Sequence, residues 1–291
     1  MMNKMTKWVF AAIIAVCSTM TVNAAQDEKN GKPYFTTDEL PNMVNFLPPP
    51  PEFESGRFVS DQTQHLWGKL QRLNKERADM AIRDAAYGMQ TIINEYGGIF
   101  GLNVTKEETP EIYTILQDVG ATCDSMVYKA KKHYSRLRPY VYYEEGTLVP
   151  EKEEKHRNEG SYPSGHTCLG WTMALLMADI NPAATDELLA RGYEYGQSRV
   201  IAGYHWQSDV DAARLAASVL YVKLQGNERF KAQLAKAKEE FAQKTGSTAK
   251  VVNMQNETSA KSTRAYTVNG TPATNNTRGI IIKNNKKSVR Y

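Results

Sequence analysis

Three short stretches of the 291-residue sequence carry cations, histidines and a carboxylate at spacings suited to an anion. The first, SYPSGHTCLGW, sets Ser164, Gly165 and His166 ahead of an apolar run that is free of charge until Asp179. Read as a helix start, this turn offers unpaired backbone N–H groups and a partial positive charge, which together seat an anion. Gly165 lets the backbone approach closely, and Ser164 can cap the helix or donate to the ligand. Taken alone, the turn reads equally as an ordinary cap with a surface histidine. The second stretch, KAKKHYSRLRPY, places Lys131 seven residues before Arg138. Arginine brings a planar fork of donors that suits phosphate oxygens, and lysine a compact point charge. A solvated basic helix end, stopped by Pro139, is the plain alternative. In the third stretch, SRVIAGYHWQSDVDAARL, Arg199 precedes His205 by six residues and Asp209 follows it by four. A carboxylate one helical turn on can hold one imidazole nitrogen, fixing the tautomer and leaving the other nitrogen as a base or nucleophile. Asp209 could instead cap its helix or pair with Arg214.

Together the stretches supply three cations, a helix-mouth anion seat, one oriented histidine and a second histidine. Phosphoryl transfer needs such a set: charges to offset the equatorial oxygens, an in-line nucleophile and a proton donor for the leaving group.

These side chains need a scaffold, and the pattern between residues 56 and 244 is helical. Ile82, Ala85, Ala86, Met89, Ile92, Ile93 and Tyr96 keep the three-four spacing of one amphipathic helix. Ile112, Ile115, Leu116, Val119, Cys123, Met126, Val127 and Ala130 keep that of another. Further helical runs cover 166–179, 185–198 and 209–242, the last broken near Gly226 and Asn227. Strand alternation is scarce here, so an all-α helical bundle is expected. Residues 25–55 are polar and then proline-rich, and LPPPPEF reads as an extended segment laid over a surface.

Both ends differ from this core. Lys4 and Lys7 precede an apolar stretch, and Val22, Asn23 and Ala24 offer small residues at a peptidase site, so residues 1–24 read as a secretory signal peptide. A retained anchor is disfavoured by the short apolar length. Lipidation at Cys17 is disfavoured by the bulk of Val16. No later stretch is apolar enough to cross a membrane. Export to the periplasm permits Cys123 and Cys168 to pair, although two buried thiols fit the sequence as well. Residues 245–291 hold eight Lys/Arg and one Glu, and their net +7 leaves −3 on the rest of a chain whose formal charge is +4. This balance argues against a strongly basic nucleic-acid-binding core. The tail also carries short β-favouring runs between Asn-Gly and Asn-Asn turns. It resembles a shortened C-terminal sorting signal of exported proteins of the Bacteroidetes type, which would allow release to the cell surface or medium. Its basic composition favours a disordered tail.

The three stretches resemble the three-part signature of the type 2 phosphatidic acid phosphatase superfamily. Within it, FLPPPPEFESGRF, GSYPSGHTCLGW and RGYEYGQSRVIAGYHWQSDVDAARLAAS are similar to class A bacterial non-specific acid phosphatases over roughly residues 46–244. Ala202 stands where some relatives have a cysteine, which puts a family disulfide there in doubt. The resemblance implies a metal-independent, cofactor-free hydrolase of phosphate monoesters such as nucleotides, sugar phosphates and aryl phosphates. It assigns His205 as the nucleophile that becomes a phosphohistidine, Asp209 as its orienting group and His166 as proton donor. Lys131, Arg138, Ser164, Gly165 and Arg199 would bind the phosphate. Transfer to alcohols and self-association into a homo-oligomer are compatible with it, whereas stable membrane insertion is not expected.

Other readings use the same residues. A vanadium-dependent haloperoxidase shares the constellation but is usually longer, and a lipid phosphatase of the superfamily normally brings several membrane-spanning helices. An exported anion-binding module that has lost catalysis would lack His166 or His205, and both are present. A zinc hydrolase drawing on His156, His166 and His205 finds no supporting spacing. Tyr140, Tyr142, Tyr143, Tyr162, Trp171, Tyr204 and Trp206 are candidate walls of the substrate site, most of them expected to be packing, and His65 and His133 read as surface or packed residues.

Overall fold

The computed structural model describes residues 31–246 and the tail segments 265–267, 279–283 and 286–290; the signal-peptide reading lies outside the described residues. The chain divides near residue 248 into two compact units. The first is helical: α1 (Phe58–Gln71), α2 (Lys75–Arg83), α3 (Met89–Phe100), α4 (Pro110–Tyr134), α5 (Pro139–Tyr142), α6 (Glu153–His156), α7 (Gly165–Ile180), α8 (Thr185–Ile201), α9 (Gln207–Gln225) and α10 (Glu228–Thr245). Among the described residues, no helix is long and apolar enough to cross a membrane.

Helix α7 is apolar on every side, and 11 of its 16 residues are buried. Such a helix must sit inside the bundle rather than on it, and α7 packs against α8, α9 and α4. Its contact with α8 is close because glycine faces a side chain on each helix. A Cβ at Gly170 would lie 2.3 Å from the Tyr195 ring, and one at Gly192 would lie 2.6 Å from the Ala174 Cβ. This approach brings the end of α8, which carries Arg199, beside the start of α7, which carries His166.

The outer helices are fixed by their ends as much as by their faces. Pro110 opens α4, and Glu240 of α10 accepts from the Ile112 N–H at 2.8 Å, placing a carboxylate on a helix N-terminus. Asn227 caps α10 by accepting from Phe230 N at 3.1 Å, so the 209–242 run is two helices, with the break at Gly226 and Asn227. Ahead of α1, Tyr34, Leu40, Met43 and Leu47 join the core that α4 helps to build. Burying a large apolar side chain of this kind contributes roughly 1.5–3 kcal/mol. Tyr34 N also donates to Thr122 Oγ1 at 3.0 Å. Phe53, just past the prolines, stacks on Tyr142 at 4.8 Å between ring centres.

One expected element is divided. The 82–96 pattern is not a single helix: α2 ends at Arg83, and α3 starts after Gly88, whose φ of 141° is open to glycine and costly to other residues. Ile82 is consequently exposed, while Asp84 and Ala85 are buried. The chain between the two helices is thus free to turn inward, with consequences for the site below.

The described tail segments form a three-stranded antiparallel sheet, β1 (Ala265–Thr267), β2 (Gly279–Lys283) and β3 (Lys286–Arg290), in the order β1-β2-β3. They fall in the β-favouring runs of the tail, and the rest of the tail past residue 246 lies outside the described residues.

Candidate active site

A cavity of about 530 Å³ opens where α4, α7 and the α8–α9 turn meet, and Lys131, Arg138, Gly165, His166, Arg199 and His205 all line it. Ser164 and Asp209 are fully buried and hold the two helix starts behind it. Ser164 N–H donates to Asp209 O at 3.0 Å, tying the mouth of α7 to that of α9. Ser164 Oγ accepts from Thr167 N at 3.2 Å and from the Thr167 hydroxyl at 2.9 Å, which makes it the α7 cap.

The hydrogen bonds fix the His205 tautomer. Arginine only donates and carboxylate only accepts. Arg138 Nη1 lies 3.1 Å from His205 Nε2, so Nε2 presents a lone pair. Nδ1 therefore carries the hydrogen and faces Asp209 Oδ2 at 3.3 Å. Asp209 Oδ2 also accepts from Trp206 N at 2.9 Å, so it caps α9 and orients His205 at once. Arg214 pairs with Asp211 instead. Burial, and then the charges of Arg138, Lys131 and Arg199, hold the His205 pKa well below the usual imidazole range.

His166 is fixed differently. Its Nε2–H donates to the backbone carbonyl of Ala85 at 3.2 Å, a carbonyl that also accepts from Lys152 Nζ at 2.8 Å. Nδ1 is left to exchange a proton. Burial, followed by Arg199 and His205, lowers its pKa well below the ordinary value. The break between α2 and α3 is what delivers this carbonyl.

The cations differ in how they are held. Lys131 Nζ donates to Gly160 O at 2.8 Å, and burial and then Arg138 push its pKa down to about 7. Arg138 is steered by the carbonyls of His156, Glu159 and Tyr204. Arg199 Nε and Nη1 are buried and find no hydrogen-bond partner among the described residues. Unmade bonds at a buried guanidinium are costly, so this side chain is shaped for an oxyanion.

The chain matches the PAP2 superfamily model over residues 114–224. It is 43% identical over 213 residues to a non-specific acid phosphatase of Providencia stuartii, covering 72% of this chain and 84% of that protein. It is 36% identical over 219 residues to a non-specific acid phosphatase of Salmonella typhi, covering 73% and 85%. An acid phosphatase of Zymomonas mobilis is 27% identical over 223 residues, covering 77% and 83%. The chain belongs to the non-specific acid phosphatases of the PAP2 superfamily.

For this acid phosphatase family member, the structure adds residues that the sequence reading did not single out. Arg136, two positions before Arg138, turns inward and bridges two buried carboxylates, with Nη1 donating to Asp209 Oδ1 at 2.7 Å and Nη2 to Asp61 Oδ2 at 2.7 Å. Asp61 Oδ1 also accepts from Ser208 N at 2.8 Å, which anchors the start of α9 to α1. The doubled arginine of SRLRP was the available signal, but periodicity does not say which arginine faces in. Of the candidate wall residues, Tyr204 lines the cavity, whereas Trp206 is fully buried in an aromatic cluster with Phe53, Phe58 and Tyr142. Tyr87, Asp124 and Tyr128 line the cavity instead. His156 lines it too, with Nδ1 against Glu159 at 2.6 Å. His65 is buried and stacks on Tyr143. Cys123 and Cys168 are free, buried thiols in contact with each other. Among the described residues, no three His, Cys, Asp or Glu side chains group as metal ligands.

Proposed function

We propose that this protein is an exported, metal-independent acid phosphatase that hydrolyses phosphate monoesters through a phosphohistidine at His205. One observation carries the reading: the buried Nε2 lone pair of His205, held by Asp209 from behind, faces a cavity ringed by Lys131, Arg138 and Arg199. A neutral nucleophile among fixed cations suits attack on a phosphate dianion.

In the first half-reaction Nε2 of His205 attacks phosphorus, the phosphorus–oxygen ester bond breaks, and the departing alkoxide takes a proton from Nδ1 of His166. Arg138 donates to Nε2, and a phosphate oxygen that takes over this guanidinium frees the lone pair to attack. In the second half-reaction water attacks phosphorus, its proton passes to His166, and Nε2 leaves. The Asp209 carboxylate offsets the positive charge on the phosphorylated imidazole. An alcohol in place of water gives phosphotransfer by the same route.

His205 must be neutral and His166 protonated, so activity should be bell-shaped in pH. Burial and the neighbouring cations lower both pKa values; a bound dianion raises them, and the protonated fraction of His166 falls as pH rises. The optimum should therefore be acidic to near neutral. Nucleotides, sugar phosphates and aryl phosphates are the proposed substrates. The amino-terminal signal pattern supports a periplasmic location.

The test is p-nitrophenyl phosphate hydrolysis across about pH 4 to 10 with a chelator present, comparing wild type with His205→Ala. Chelator-resistant turnover with an acidic or near-neutral optimum, abolished by the substitution, is expected. A rate rising monotonically to pH 10, or one retained without His205, would overturn the mechanism.

A further inference from the structure

In-line displacement places the leaving group opposite the nucleophile, and therefore beside the group that protonates it. In the phosphatase reading, on which this inference rests, that group is His166, and Tyr87 stands against it with ring centres 4.7 Å apart and planes at 65°. The Tyr87 hydroxyl is held by Asp124 Oδ1. Asp124 lies one helical turn before Tyr128 on α4, and Asp124, Val127, Tyr128 and Lys131 form the strip of that helix that lines the cavity. Tyr87 and Tyr128 are 44% and 49% exposed, although each is large enough to be worth burying. Phosphate oxygens reach Lys131, deeper on the same strip, so the body of a bound ester lies toward Tyr128 and Tyr87.

We propose that Tyr87 and Tyr128 form a leaving-group subsite that selects phosphate monoesters with an aromatic ring next to the ester oxygen. A flat ring gains contact with both tyrosines at once, and offset or edge-on aromatic pairs contribute beyond the area they bury. A small alkyl group reaches neither face. Lys132 Nζ sits 4.8 Å from the centre of the Tyr128 ring, which steadies the side chain from solvent.

The experiment compares inhibition of p-nitrophenyl phosphate hydrolysis by benzylphosphonate and by ethylphosphonate, in which a methylene replaces the ester oxygen and nothing is cleaved. Tyr128 is the residue to change, because Tyr87 touches the proton donor. Wild type should bind benzylphosphonate more tightly, and Tyr128→Ala should reduce that preference by about two- to tenfold. Tyr128→Phe, which keeps the ring, should retain it. A preference unmoved by Tyr128→Ala, or lost equally in Tyr128→Phe, would overturn the subsite while leaving the phosphatase reading intact. A folded wild type that does not hydrolyse p-nitrophenyl phosphate would remove both.

Discussion

Replacing Arg136 by methionine should lower the melting temperature by about 6–12 °C. The guanidinium is 5% exposed and bridges Asp61 and Asp209, which are 1% and 0% exposed, so the substitution strands two carboxylates where water cannot reach them. Removing one partner from a buried ion pair costs roughly 3–5 kcal/mol. The lower end applies here because neither carboxylate is stripped bare. Asp61 keeps Ser208 N at 2.8 Å and the Ser208 hydroxyl at 2.6 Å, and Asp209 keeps Trp206 N at 2.9 Å and His205 Nδ1 at 3.3 Å. At about 2–4 °C per kcal/mol for a domain of this size, a loss near 3 kcal/mol gives the stated range. Asp61→Asn supplies the decisive comparison. In wild type it removes half of the Arg136 pairing and should destabilise; in the Arg136→Met background it removes an unpaired charge and should recover part of the loss. Thermal unfolding of the four proteins, followed by circular dichroism, completes the double-mutant cycle. A shift below about 2 °C for Arg136→Met, or an equal cost of Asp61→Asn in both backgrounds, would refute the bridging role.

Lys131, with its pKa near 7, loses charge as pH rises through neutrality. Sulfate, a dianion throughout, should therefore bind more weakly at about pH 9 than at about pH 5 by calorimetry, and Lys131→Arg, which stays charged, should flatten the dependence. His166→Ala should slow alkyl phosphates by roughly a hundred- to ten-thousand-fold and p-nitrophenyl phosphate much less, because only the poor leaving group needs the proton; equal slowing of both in steady-state assays would argue against a donor role. Gly170→Ala forces a Cβ to 2.3 Å from a buried tyrosine ring, so a loss of about 1–3 kcal/mol in denaturant unfolding is expected.

The parts of the site carried by side chains at helix mouths were legible in the sequence. Pro163 to His166 and His205 to Asp209 each announce a helix start, where spacing along the chain fixes spacing in space, and Lys131 and Arg138 bracket a helix end. Arg136 and Asp61 escaped that logic because they are 75 residues apart in sequence and meet only through the packing of α1 against the α4–α5 connection. Tyr87 was hidden by the apparent continuity of the 82–96 pattern, although Gly88 was the punctuation that should have divided it. Spacing along the chain could not divide the aromatic residues that flank His205, because Tyr204 lines the cavity while Trp206 fills the core behind it.

The partner of His166 is a carbonyl of the main chain. Every amino acid at position 85 supplies that oxygen, so a mutational scan there would report the packing of a buried side chain and miss the atom that orients the His166 ring altogether. Changing this contact by heredity means moving the five-residue connection between α2 and α3, through its length or its glycine. A change some eighty residues upstream of His166 would therefore reach its ring without altering a letter of the three signature stretches.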